Sequence, residues 1–266
     1  MDSFVDERDY EILKNDEYTF SVLRRVMGGK CKLLLTDHTK LIICFSDNPF
    51  PVWIWSPDDA TGAEMENIYQ ILVDNSLLNG EYRFNLKYNL SEYLIKRAAV
   101  DGKKLAISLK MFAYNCEKPV KPIRIADGSI YLCTAQDEEE LIDVMDSFHK
   151  ELGMDIRSRE SYRIDAKAFI DAGNAYFWKD SQGNNVASCK FIPDGDLACI
   201  NFVFTRPSFR RKHYAENLVY EVTKIAKDLG YIPALYTDAD YVASNACYEK
   251  IGYMLKGKLC TLSIIK

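Results

Sequence analysis

At 266 residues, 48% apolar and 27% charged, the chain can hold one large or two modest domains with a sizeable core. Its net charge of −5 argues against a surface built to track nucleic acid. No apolar run approaches the roughly 18 residues of a membrane helix, and the acidic start lacks the apolar stretch of a signal peptide, so no membrane partner is expected. The eight cysteines form no CxxC pair and the three histidines have no metal-like spacing. Buried thiols, a cytoplasmic location and no metal are the expectations.

In chain order, a helix is expected from near Asp6 to Met27, with Phe20, Leu23, Val26 and Met27 on its apolar stripe and Gly28-Gly29 ending it. Lys32–Thr36 and Lys40–Phe45 read as a hairpin, and Pro51–Trp55 as a third strand. A helix follows at about Thr61–Leu78, then an extended segment at Tyr82–Tyr88. Ser91 is placed to cap a helix through Val100. Leu105–Asn115 alternates as a strand should.

Glu117-Lys-Pro-Val-Lys-Pro122 is the expected boundary, giving domains 1–122 and 123–266. Beyond it come a strand at Ile130–Ala135 and a helix opening on Gln136-Asp-Glu-Glu-Glu140. Those acids suit a helix start and are expected to be solvated. A helix at Ser161–Ala172 and strands at Ala175–Trp178 and Val186–Ile192 follow.

Ala198–Phe204 reads as a buried strand and leads into a basic turn, Thr205-Arg-Pro-Ser-Phe-Arg-Arg-Lys-His-Tyr214. Ala215, Leu218, Val219, Val222, Ile225, Ala226 and Leu229 then recur at helical spacing up to Gly230. The turn therefore sits between a strand end and a helix start. Unpaired N–H groups and the helix dipole favour an anion there. Arg206, Arg210, Arg211 and Lys212 add charged donors, each good phosphate bond contributing about 1.5–3 kcal/mol. The residues alone point to a phosphate or pyrophosphate site. Ala234–Thr237 is the next strand, and a closing strand falls near Lys256–Ile265.

Three separated pieces carry a family resemblance: Val203–Ala215, Leu235–Asp238 and Ser244–Tyr253. Together they resemble the acyl-CoA core of the GNAT N-acetyltransferase superfamily. Arg210 and Ala215 fall on the ends of that family's Arg/Gln-x-x-Gly-x-Gly/Ala turn, while His213 replaces its first Gly and Arg211 another frequent Gly. Asn245, Tyr248, Gly252 and Tyr253 match the Asn-x-x-Tyr-x-x-x-Gly-Phe/Tyr pattern. Three outcomes stay open for His213: an ordinary solvent-facing conformation, an imidazole touching a CoA phosphate, or a decayed site.

The resemblance implies an α+β fold, a mixed and mostly antiparallel sheet flanked by helices. The repeated element order suggests a tandem protein with a degenerate GNAT-like first half. That half offers only Ser56-Pro-Asp-Asp-Ala-Thr-Gly62 where the second has its basic turn, and two carboxylates would repel a pyrophosphate. It further implies acetyl transfer from acetyl-CoA, a co-substrate, to an amine in a ternary complex. The acceptor would be a small molecule or an exposed amine; homodimerisation is left open. Phe202, Val203, Phe204, Thr205, Arg210, Arg211, Lys212, His213, Tyr214, Ala215 and Asn245 are the implied cofactor-binding residues. Tyr248, protonated at neutral pH, is the implied acid for the departing thiolate; packing alone would also explain it. The residues name no general base, since the central strand offers Asn201 and no carboxylate. One competing reading is a catalytically inactive acyl-CoA-binding protein; another, an aminoacyl-transferring relative that uses charged RNA, is argued against by the acidic net charge and the lack of a broad basic stripe.

Overall fold

The computed structural model describes residues 1–265. Contacts divide the chain into two units: Met1–Tyr114 with Tyr236–Val242 and Leu255 onward, and Asn115–Leu235 with Ala243–Met254. A single cut near residue 122 does not describe this division, because two segments of the second half pack into the first unit.

The first unit contains helices α1 (Glu7–Ile12), α2 (Ser21–Met27), α3 (Gly62–Asp74) and α4 (Tyr88–Val100). Its strands are β1 (Leu33–Thr36), β2 (Ile42–Phe45), β3 (Val52–Trp55), β4 (Arg83–Leu86) and β5 (Leu105–Asn115), together with β11 (Met254–Ile264). They run in the order β1-β2-β3-β4-β11-β5. β3 and β4 are parallel, joined through α3, while β11 is antiparallel to β4. Ile43, Ile54, Phe84 and Leu262 meet α3 and α4 through Tyr69, Leu72 and Leu94. Trp53, Trp55 and Ile42 pack with Leu13, Phe20 and Leu23 of the N-terminal helical segment.

The long first helix expected over residues 6–27 is broken. α1 ends at Ile12, a 3-10 turn spans Lys14–Asp16, and α2 begins at Ser21. Asp16 explains the break: its carboxylate accepts from Trp55 Nε1 at 2.8 Å and pairs with Lys87 Nζ at 2.7 Å. Ser91 is no cap either. It is buried inside α4, and its hydroxyl donates to the Tyr88 carbonyl at 2.8 Å.

The second unit contains β6 (Ser129–Leu132), α5 (Glu138–Glu151), α6 (Arg159–Asp171), β7 (Ala175–Lys179), β8 (Asn185–Asp194) and β9 (Leu197–Thr205). α7 (Tyr214–Asp228), the start of β10 (Ile232–Asp238) and α8 (Val242–Lys250) complete it. Strand order is β6-β7-β8-β9-β10, antiparallel until β10, which is parallel to β9. α5 and α6 cover one face, packing Leu141, Ile142 and Met145 on Phe177, Phe202 and Phe204. α7 packs on β7, β8 and β9. Its apolar stripe, Leu218, Val219, Val222 and Ala226, is fully buried. Phe191, out of phase with the α5/α6 face, meets Tyr231 just past α7, so α7 takes the opposite face. The acids opening α5 are not merely solvated: Glu138 and Glu139 pair with Arg163, Glu139 also with Arg159, and Glu140 with Arg206. All eight cysteines are thiols.

His38 fastens the N-terminal segment. Its Nδ1 lies 2.8 Å from Asp9 and its Nε2 3.0 Å from Asp2, with an Asp6 oxygen at 3.8 Å. Asp2 also bridges Thr36 backbone to backbone. These carboxylates form the cluster Asp6, Asp9 and His38 that the sequence spacing did not reveal, and its donor atoms are already used within the protein. Burial lowers the His38 pKa, and the Asp9 bond and charge, with Asp2, outweigh it to hold the pKa above the ordinary value against the nearby Arg8 charge. A raised histidine pKa stabilises the fold fully below the unfolded value of about 6.5, and the contribution is lost as pH rises through the folded value. Urea midpoints measured from pH 5 to 9 are expected to fall above neutrality in the wild type. The dependence should flatten in His38→Asn, whose amide tolerates the φ of 59° at that position.

Candidate active site at the β9–α7 junction

β9 is bulged. Ser188 of β8 pairs with Phe204 and Lys190 with Asn201, so two residues of β9 oppose one of β8. Phe202 takes a φ of 56°, an outlier for an aromatic residue that costs about 1–3 kcal/mol. Its ring holds it there, packed at 5.2 Å from Phe148 of α5, while its carbonyl accepts from Ser188 Oγ at 3.2 Å. On its other edge, among the described residues, β9 is paired to β10 at Leu197–Cys199 with Ile232–Ala234. The stretch Phe202–Phe204 is therefore re-aimed by the bulge and has no paired residue on β10 among those described.

Beyond β9, Pro207–Phe209 forms a 3-10 turn and α7 starts at Tyr214. Arg211 and His213 have φ of 63° and 64°. The left-handed backbone that glycine would supply is thus kept by two non-glycine residues, at roughly 1–2 kcal/mol each. No N–H from Arg211 through Glu216 has a hydrogen-bond partner among the described residues, and His213 gives α7 no side-chain cap. Successive open N–H groups at a helix start make a concave anion site.

The turn is braced from below. His213 Nε2 accepts from Arg124 at 3.3 Å, which leaves Nδ1–H to donate to Glu216 at 3.2 Å. Asn217 Nδ2 donates to the carbonyls of Arg124 and His213 at 2.9 and 3.0 Å. Tyr214 is buried and donates to Asp127 at 2.6 Å. That hydrogen bond, with those of Ser181, holds the Asp127 carboxyl down at about 2, and burial with Asp127 pushes Tyr214 up to about 12. Tyr214 thus offers a ligand its N–H and not its hydroxyl. Arg124 and Asp127 escaped the sequence reading, since nothing local marks a segment almost ninety residues away as the brace of this turn, and Asn217 escaped it because its partner is the Arg124 carbonyl of that segment.

The basic side chains divide into two groups. Arg206 is taken by Glu140 and the Asn185 carbonyl, and Arg210 by Glu151 and the Thr205 carbonyl at 3.1 Å. The structure brings Arg210 to the turn but aims its guanidinium at protein acceptors. Arg211 and Lys212 are exposed and face no carboxylate among the described residues. They supply the positive charge on the rim.

Asn245 and Tyr248 are buried on α8, and the Tyr248 ring meets Tyr253 edge-on at 5.8 Å. The glycine of that motif has a local reason. Gly252 has a φ of 97°, and a Cβ there would lie 2.5 Å from the Lys118 carbonyl. The same segment bonds at Val120 N–H to the Ile251 carbonyl.

The start of α3 in the first unit, by contrast, carries a side-chain cap. Thr61 caps α3 and exchanges hydrogen bonds with Glu64, so the capping box uses two of the N–H groups at this helix start, those of Thr61 and Glu64. Of its two acids, Asp58 pairs with Lys87.

Residues 138–253 match the model of the acetyltransferase (GNAT) family. Solved structures agree on the fold. A GNAT-family acetyltransferase from Colwellia psychrerythraea is 12% identical with a TM-score of 0.60, covering 100% of this chain and 99% of that one. A GCN5-related N-acetyltransferase from Sphaerobacter thermophilus is 12% identical with a TM-score of 0.64, over 92% and 85% of the two chains. One from Kribbella flavida is 13% identical, with a TM-score of 0.62 and 95% coverage of each. At such identities these likenesses define the fold alone. No curated protein matches the chain. Among the described residues no helix is long and apolar enough to cross a membrane.

Gly252→Ala is expected to destabilise the protein by about 2–3 kcal/mol, from left-handed strain and the Lys118 clash together. Denaturant titration at constant pH measures it; a loss below about 0.5 kcal/mol would mean that the segment at Lys118 yields freely.

Proposed function

We propose that the chain moves an acetyl group from acetyl-CoA to a primary amine by direct attack in a ternary complex. The observation that carries this reading is the open row of N–H groups at Arg211–Glu216, held in left-handed backbone without glycine. A pyrophosphate accepts from that row, with Arg211 and Lys212 on its rim. An N–H within the bulge at Phe202–Phe204 is placed to polarise the thioester carbonyl. The acceptor amine sheds a proton and attacks, and the CoA thiolate leaves with a proton from Tyr248. Asn245 bonds the cofactor arm. The first unit, with α3 sealed by its own capping box, serves as a degenerate counterpart that binds no CoA. The acceptor is a small molecule or an exposed amine on a larger one.

One observation favours the competing reading, an acyl-CoA-binding protein without turnover: β9 presents Asn201 beside the bulge and no carboxylate to act as base.

Calorimetric titration with acetyl-CoA tests the binding half. Micromolar affinity is expected for the wild type. Ala215→Asp, which places a carboxylate among the open N–H groups, should abolish binding with little change in stability. His213→Gly should keep it, because glycine adopts the same backbone at lower cost. Absence of binding at millimolar acetyl-CoA would sink the reading.

Tyr248→Phe tests the chemical half. Thiol release with a panel of primary amines should fall about 10- to 100-fold while the calorimetric affinity for acetyl-CoA stays unchanged. Wild-type binding with no release for any amine would favour the silent protein.

A further inference from the structure

Lys190 lies on β8, only 8% exposed, with Nζ 3.1 Å from the centre of the Phe169 ring on α6. Among the described residues no carboxylate pairs with it and no hydrogen bond reaches Nζ. A lysine taken from water without a counter-ion is held at a cost, and the ring offsets only part of it. Burial lowers its pKa to about 8, against the smaller opposing pull of Asp165 on α6 and of Cys189. About 20% of such a side chain is neutral at pH 7.4, against about 0.1% of an ordinary lysine.

Its place in the sheet matters as much. Lys190 pairs across the ladder with Asn201, the residue before the outlier Phe202. Directly opposed residues lie about 5 Å apart on one face. That face is the one covered by α5 and α6, whereas the open turn begins α7 on the other. Lys190 and the open turn therefore lie on opposite faces of the sheet, and the β9 bulge, unpaired to β10 among the described residues, is the break between them. Asn201 Oδ1, beside it, is buried with no hydrogen-bond partner.

We propose that Lys190 is a site of self-acetylation. The neutral Nζ attacks the thioester carbonyl of acetyl-CoA held at the bulge. The new N–C bond replaces the C–S bond, and CoA departs as a thiolate that takes the proton Nζ gives up. The product is an uncharged amide, so the reaction removes the buried charge and creates an N–H donor for Asn201 Oδ1. The inference rests on acetyl-CoA binding at the α7 turn.

The test incubates the purified full chain with acetyl-CoA and follows each lysine by peptide-resolved mass spectrometry, with calorimetry on the same preparation. Lys190 should gain about 42 Da at least about tenfold faster than exposed lysines such as Lys30 and Lys121. Excess CoA, which occupies the turn without an acetyl group, should slow that reaction, and Ala215→Asp should reduce it to the rate of the exposed lysines. Binding without modification of Lys190 overturns this proposal and leaves the acetyl-CoA reading standing. Modification that neither CoA nor Ala215→Asp slows overturns it as well, since it would be solution chemistry. If calorimetry shows no binding, the acetyl-CoA reading fails and the self-acetylation falls with it.

Discussion

Left-handed backbone at three non-glycine residues is the constraint on which the site depends. Phe202, Arg211 and His213 all have φ near 60°, the first in the β9 bulge and the others in the turn before α7. Each position is unfavourable alone, and at two of them neighbouring side chains hold the backbone in place. Phe202 is anchored by the Phe148 ring. His213 is tied between Arg124 and Glu216. The result is a row of unbonded N–H groups before α7 and a β9 stretch left unpaired to β10 among the described residues.

This arrangement keeps the N–H groups of the turn open although the turn holds no glycine. Glycine is the usual solution because it adopts this geometry freely. Here side-chain ties do the same job from outside the turn, and the buried Tyr214–Asp127 bond fixes the first residue of α7 against the unit. Charge plays the lesser part. Two of the arginines are spent on Glu140 and Glu151, so the turn depends on oriented N–H groups more than on a cluster of cations.

Much of the scaffold was legible from period alone. The α7 stripe, the alternation along β5 and the apolar run of β9 are local signals, and the elements lie where those patterns put them. What was hidden depends on distant partners. The break after Ile12 follows from Asp16 serving Trp55 and Lys87, residues far along the chain. Arg210 reads as a phosphate ligand until Glu151 is beside it. Lys190 stands in an ordinary Cys-Lys-Phe strand, and only the ladder brings it next to Asn201. The motif at Asn245–Tyr253 was readable as a pattern, but the need for Gly252 came from the Lys118 carbonyl.

The strand order of the first unit has a consequence for how the chain is made. β11 lies between β4 and β5, and Ser108 of β5 bonds Ser263 of β11 at 2.8 Å. On the ribosome β4 and β5 therefore emerge well over a hundred residues before the strand that separates them. Until then the nascent first unit has a gap in its sheet, with two edges open to wrong pairing. The second unit can assemble its β6–β9 meander during that wait. Order of completion is thus the reverse of order of synthesis: the half that begins the chain is the half finished last.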